Sequence, residues 1–172
     1  MSTPHPLVTQ LRFTRGEFVR GLKRLSEDDA ARRFEPMNCI SWNVGHLAWQ
    51  EQEYFIFYGL QEPRPYPDIA RRFAYGAPSS TPSLAEMREA WESITAAADP
   101  YLDALTAGAL AQPFLKADGS PGKRLVGSLL YRVIYHYWYH TGENAAIRQM
   151  LGHERLPQFV GNIDGKAPYT AP

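Results

Sequence analysis

Two histidines spaced four residues apart are the feature of this sequence best suited to chemistry. His136 and His140 fall within one continuous helical pattern, and four residues turn a helix through about 400°. Both imidazoles therefore project from one face, about one turn apart. Paired histidines with this spacing bind zinc in helical motifs. Because both also lie on the apolar stripe of their helix, the spacing predicts a metal site that faces the protein interior.

His46 is the candidate for a third ligand from another helix. It has Trp42 four residues before it and Trp49 three residues after it, which places it on an inward face. Three neutral imidazoles around one ion leave a coordination position for water or substrate. The alternative is that each histidine is a packed core residue with no ligand role. His5 and His153 lie outside the predicted pattern.

Glu53 is a candidate partner for this site. It follows His46 by seven residues, which is two helical turns on nearly the same face. It could support a ligand or act as a base near the metal. The alternative is an ordinary, partly exposed carboxylate.

Glu143 and Asn144 follow His140 by three and four residues and could orient that ligand. For Glu143 we favour the alternative, an ion pair with Arg148 or Arg132. The aromatic residues from Tyr131 to Trp138 cover all faces of the same helix, and they predict core packing together with a dimer face or a pocket wall.

Long helices are needed to position these residues, and the sequence contains four amphipathic patterns. They run from about Leu7 to Leu25, Ser41 to Leu60, Pro82 or Ser83 to Thr106, and Lys123 to Leu151, with a short turn of helix at Glu27–Arg33. Pro100 predicts a kink or a break in the third helix. No segment shows a convincing strand pattern.

The connection over residues 61–81 is rich in Pro, Gly and Ser, and is long enough to be either functional or a simple cover over one end of the bundle. The chain is irregular after Gly152, which is a natural helix stop. We therefore predict an all-α fold. It is a four-helix bundle with a long loop between helices 2 and 3 and an irregular C-terminal tail, forming one domain over residues 1–172.

Composition excludes several classes of function. The formal net charge is zero, which does not favour nucleic-acid binding. No apolar run is long enough for a membrane span, and Cys39 is the only cysteine, so an intramolecular disulfide and a cysteine-based zinc site are excluded. These features predict a cytoplasmic protein with no nucleic-acid or membrane partner.

Two segments resemble the histidine motifs of the DinB-like superfamily. Residues 41–51 read SWNVGHLAWQE and residues 136–149 read HYWYHTGENAAIRQ. The loop 73–82, FAYGAPSSTP, and the tail 156–161, LPQFVG, also fit one branch of the family. The resemblance implies a four-helix bundle, often a homodimer, with one divalent metal ion (Zn, Ni or Fe) held by His46, His136 and His140.

The superfamily includes thiol-dependent enzymes, among them mycothiol-dependent maleylpyruvate isomerase and bacillithiol S-transferases. A related domain supplies an iron-binding histidine triad to sulfoxide synthases. The resemblance therefore implies a metal-dependent thiol S-transferase or isomerase, with a small-molecule substrate and a low-molecular-weight thiol as partners. A metal-dependent hydrolase and a non-catalytic metal-binding stress-response protein remain open as alternatives, because the same histidines would serve all three.

Overall fold

The computed structural model describes residues 4–158 and 160–170 and is built mainly from helices. Phe159, part of the tail motif, lies outside the described residues. The helices are α1 (Pro6–Gly21), α2 (Glu27–Ala31), α3 (Ile40–Glu51), α4 (Pro67–Phe73), α5 (Leu84–Asp103), α6 (Ala107–Leu110), α7 (Val126–Met150) and α8 (Ile163–Lys166). A π-helical segment, Gln52–Leu60, continues α3, and two short strands are β1 (Pro113–Leu115) and β2 (Pro121–Leu125).

Helices α1, α3, α5 and α7 form the bundle, and their contacts fix its topology. Helices α1 and α7 are parallel, since Phe13 contacts Trp138 near their midpoints and Arg148 donates to the Gly21 carbonyl near their ends. Helix α7 packs on α3, and α3 packs on α5. The predicted all-α bundle is thereby confirmed.

The long connection after α3 follows from this topology. Helices α3 and α5 run parallel, with Gly45 facing Met87 at one end and Gly59 facing Tyr101 at the other. The chain must therefore return along the bundle before α5 begins. The predicted loop over 61–81 makes this return, and it contains the short helix α4, which starts at Pro67 and packs against α3.

A buried polar network joins the four bundle helices. Arg15 on α1 makes a two-pronged ion pair with Glu51 on α3, with N···O distances of 2.8 and 2.6 Å, and donates to Asp99 on α5 at 2.8 Å. Tyr137 on α7 donates to Glu51 at 2.8 Å, and Trp91 on α5 donates to Tyr137 at 2.5 Å. Glu51 and Tyr137 are fully buried. Each charge is therefore neutralised inside the core, where an unpaired charge would be costly.

This network shifts the ionisation of its members. Burial opposes the charge on Arg15, but the adjacent Glu51 carboxylate raises the pKa of its guanidinium above the ordinary value. Burial, followed by the same carboxylate, raises the pKa of Tyr137 well above the ordinary value. The arginine is therefore charged and the phenol neutral over the working pH range.

The hairpin of β1 and β2 corrects the sequence analysis, which predicted helix from Lys123 and no strand. The two strands pair antiparallel, and Lys123 belongs to β2. The turn is made by Asp118, which accepts from the backbone and hydroxyl of Ser120, and by Gly119 at φ +76°. These strands are poor in β-branched residues, so the Asp-Gly turn signal had no strand pattern beside it.

Two further helices also differ from prediction. Helix α1 ends at Gly21 rather than Leu25, and the chain turns there with Arg24 at φ +59°. Helix α5 does not break at Pro100 but continues to Asp103. Since Pro100 lies in the last turn, little of the hydrogen-bond ladder depends on it. Among the helices of the described chain, none has the length and apolar character required to cross a bilayer.

We expect the substitution Glu51→Ala to destabilise the protein by about 3–5 kcal/mol, because it leaves Arg15 buried without its main counter-charge. Chemical denaturation measures this change. The control is Arg12→Ala, which removes a partly exposed ion pair with Asp103 and should cost about 0–1 kcal/mol. Equal effects of the two substitutions would contradict a central role for the buried pair.

Candidate metal centre

The structure brings together the three histidines singled out from the sequence. One ring nitrogen each from His46, His136 and His140 lies within 4.8 Å of the others. His46 comes from α3 and the other two come from successive turns of α7. His46 and His140 are each 6% exposed and His136 is half-buried, so the cluster lies just below the surface between these two helices.

Each histidine uses Nδ1 to contact a hydrogen-bond acceptor. His46 Nδ1 lies 2.5 Å from the Phe73 carbonyl oxygen, and His136 Nδ1 lies 2.9 Å from Gln50 Oε1. His140 Nδ1 lies 2.7 Å from the Glu143 carboxylate. Because all three partners are acceptors, each Nδ1 must carry the proton. The neutral ring then presents an unprotonated Nε2, and partners of this kind orient metal-binding histidines in general.

The spacing of the Nε2 atoms matches a shared cation. Those of His136 and His140 are 3.0 Å apart, and two nitrogens of a tetrahedral zinc site are separated by about 3.3 Å. When both rings are neutral and carry their protons on Nδ1, neither Nε2 has a hydrogen to donate, and the two lone pairs face each other. A bound cation relieves that repulsion, and the residues present therefore fit a metal ion.

Burial keeps two of these imidazoles neutral, the form that a metal requires. Burial lowers the pKa of His46 to about 4, although its contact with the Phe73 carbonyl opposes the shift. Burial, together with the neighbouring His140 and His46, lowers the pKa of His136 to about 3. Protons therefore do not compete with a metal for these two nitrogens at neutral pH.

Glu143 contacts His140 instead of forming the ion pair that we favoured from sequence. Its carboxylate accepts from His140 and also from Asn43 Nδ2, at 2.9 Å. Asn43 Nδ2 donates to Asn144 Oδ1 as well, again at 2.9 Å. Arg148 contacts the Gly21 carbonyl and His153. The pairing of Glu143 with Arg148 or Arg132 was thus wrong, because the carboxylate faces the interior beside α3.

His46 is held from both sides by rings on its own helix. The indoles of Trp42 and Trp49 stack on its imidazole, with ring centroids 4.9 and 5.2 Å away. Gly45 lets the Phe73 segment approach, since a Cβ there would lie 2.9 Å from the Phe73 ring. The same approach brings the Phe73 carbonyl to His46, so the long connection contributes directly to the site.

Glu53 is not part of this cluster. Its carboxylate forms an ion pair with Arg64 and lies seven residues, about 10 Å of helix rise, beyond His46. Arg64 also covers the ring of Phe57. The sequence could not show this pairing, because Arg64 lies in the connection, whose path depends on the tertiary fold.

Three supporting groups were missed in the sequence: Gln50, Asn43 and the Phe73 carbonyl. Gln50 and Asn43 lie four residues after and three residues before His46, so helical periodicity places them on the histidine face. That spacing was a usable signal. A backbone carbonyl carries no residue-type signal at all.

Comparison with known proteins agrees with the fold. The family model of the DinB superfamily matches residues 10–143, and this chain belongs to that superfamily. A conserved protein from Enterococcus faecalis, solved by crystallography, has the same fold. Its TM-score is 0.62 at 15% identity, over 86% of this chain and 96% of that one. No curated protein sequence matches the chain.

We expect Glu143→Ala to weaken metal binding by about 10–100-fold, because the imidazole of His140 loses the acceptor that orients it. Glu143→Gln keeps an acceptor oxygen and should lose less. Competition with a chromogenic chelator measures both affinities. Glu92→Ala, on the exposed face of α5, is the matched control. An affinity unchanged in Glu143→Ala would contradict this role.

The metal-free protein should lose stability as the pH falls from about 6.5 toward 4. In that window the unfolded chain protonates His46 and His136 at their ordinary pKa of 6.5, whereas the folded chain, with pKa values of about 4 and 3, does not. Urea unfolding in the presence of chelator at several pH values measures the slope. A His46→Gln, His136→Gln double variant should show a shallower slope, and an equal slope would contradict the assignment.

Proposed function

We propose that His46, His136 and His140 hold one divalent metal ion, Zn, Ni or Fe, and leave a coordination position open. We further propose that the protein is an enzyme in which a low-molecular-weight thiol reacts with a small-molecule electrophile, as in thiol S-transferases and isomerases. One observation carries the proposal: one ring nitrogen from each histidine lies within 4.8 Å of the others, and all three Nδ1 atoms contact acceptors, which leaves Nε2 of each ring for a metal ion.

The charge of the site supports a thiol as the exogenous partner. Three neutral imidazoles do not compensate the charge of a divalent ion. Among the described residues, Glu143 is the carboxylate that contacts one of the three histidines, His140. A buried cation of this kind favours an anionic ligand. A bound divalent ion supplies Lewis acidity, which lowers the pKa of a thiol and increases the nucleophilic thiolate at neutral pH.

The residues of the chain then have separate tasks. The Glu143 carboxylate holds the proton at Nδ1 of His140, and Gln50 does the same for His136. The indoles of Trp42 and Trp49 fix the plane of His46 and exclude water from its faces. These contacts preorganise the donor atoms, so little ordering is required when the ion binds.

The choice of a thiol over water rests on the thiol-dependent enzymes of the superfamily. The same donor set would serve a hydrolase equally well. A purely structural metal would require a fourth protein ligand, and the cluster within the described residues contains three.

The decisive experiment begins with the metal content of protein purified without a histidine tag or chelator. We expect about one equivalent in the wild type and in His5→Ala, and a large loss in the His136→Ala, His140→Ala double variant. Protein reconstituted with Co²⁺ is then titrated with cysteine, glutathione, mycothiol and bacillithiol. We expect a sulfur-to-cobalt charge-transfer band with at least one thiol.

The outcomes separate the hypotheses. Wild-type protein that binds no divalent ion would refute the metal centre. Metal-loaded protein that shows no charge-transfer band and consumes no thiol would refute the thiol enzyme. Hydrolysis of ester or amide substrates without added thiol would establish the hydrolase instead.

The expected homodimer and cytoplasmic location stay predictions. Tyr131, Tyr135 and Tyr139 recur every four residues along α7 and are 51, 66 and 68% exposed. They form an aromatic surface beside the metal centre, which accords with the predicted dimer face or pocket wall.

A further inference from the structure

An arginine extends the histidine stripe of α7 by one further turn. Arg132, His136 and His140 follow one another at steps of four residues, so they project from one face of the helix. Arg132 is exposed and His136 is half-buried, with one helical turn of about 5.4 Å between them. The long side chain of Arg132 can therefore reach the solvent side of the histidine cluster.

Arg132 has no counter-charge within the described part of the chain, where it forms no hydrogen bond or ion pair. Gln50 on α3 contacts His136 on α7, and these two helices are antiparallel. Glu53, one turn further along the chain from Gln50, is therefore about level with Arg132. The Glu53 carboxylate, however, already pairs with Arg64. The carboxylate nearest in level thus leaves Arg132 unpaired.

The carboxylate that contacts the histidine cluster is occupied as well. Glu143 accepts from His140 and from Asn43. The charge of a divalent ion among the histidines would be balanced by Glu143 together with one thiolate. The positive charge of Arg132 then remains, and a planar guanidinium pairs with a carboxylate through two parallel hydrogen bonds.

An aromatic wall lies beside this stripe. Tyr135 and Tyr139 are 66 and 68% exposed. The ring of Tyr139 meets that of His140 edge-on, with the ring centroids 5.0 Å apart. These rings offer an apolar surface to the carbon skeleton of a small ligand, next to the histidines. The approach to the cluster therefore combines an apolar wall with one accessible, unpaired cation.

We propose that Arg132 is a specificity-determining residue, which selects thiols that carry a carboxylate group. The guanidinium binds the carboxylate while the sulfur lies at the histidine cluster. This inference rests on the proposed function, because it assigns a chemical class to the thiol of that same site. Arg132 acts on the affinity for the thiol and takes no part in holding the metal ion.

The test compares two thiols that differ in charge, 3-mercaptopropionate and its neutral amide. Each is titrated into full-length protein reconstituted with Co²⁺, and the sulfur-to-cobalt charge-transfer band reports the bound fraction. We expect the wild type to bind the carboxylate about three- to fivefold more tightly than the amide, as for a solvent-exposed ion pair of good geometry.

Substitutions of Arg132 locate the origin of this preference. Arg132→Gln should remove it by weakening the binding of the carboxylate alone, whereas Arg132→Lys should keep part of it, because the charge remains without the planar fork. Arg88→Gln, on the exposed face of α5, is the matched control. All three variants should retain the cobalt content and melting temperature of the wild type, since each replaces an exposed side chain.

A preference for the carboxylate that persists in Arg88→Gln and disappears in Arg132→Gln supports the inference. Equal affinities of the wild type for the two thiols would overturn the inference and leave the thiol enzyme standing. A preference that Arg132→Gln leaves unchanged would overturn it too, because the carboxylate would then contact the ion itself. No charge-transfer band with either thiol would overturn the inference and count against the thiol enzyme as well.

Discussion

The ion pair of Arg15 with Glu51 is the interaction on which the rest of the structure depends. It is two-pronged and buried, and it recruits Asp99 and Tyr137, so that one residue or more from each bundle helix meets at one level. Apolar packing alone tolerates small sliding of one helix along another. A buried charge does not, because a shift of one turn would leave it unpaired. The network therefore sets the axial register of the bundle.

That register determines the position of the histidine cluster. Glu51 directly follows Gln50, and Tyr137 directly follows His136. The contact between Glu51 and Tyr137 thus brings Gln50 beside His136, and the next turns of the antiparallel helices bring His46 beside His140. The buried pair and the histidine cluster are consecutive layers of the same helix interface. In the inner layer, the buried charges neutralise one another. In the outer layer, the ring nitrogens of the histidines lie close together near the surface.

Polar side chains orient the imidazoles of the histidine cluster. Close to them lie buried polar atoms that have no hydrogen-bond partner among the described residues. Asn43 supports Glu143 and Asn144 with one amide nitrogen, but its own oxygen is buried without a partner among the described residues. Such a half-satisfied network is expensive in a purely structural core. It is expected next to groups that bind ligands, where an incoming molecule completes the hydrogen bonds.

The sequence by itself determined the all-α bundle and the histidine cluster. Helical periodicity put His136 and His140 on one inward face, and the two indoles placed His46 on another. Local signals also predicted the long connection. Tertiary structure alone decided the partners that come from distant segments: Phe73 with His46, Arg64 with Glu53, and Asn43 with Glu143. The physical reason is the separation along the chain over which each signal acts. Periodicity reports which face a residue occupies, whereas hydrogen-bond partners depend on how distant segments are brought together.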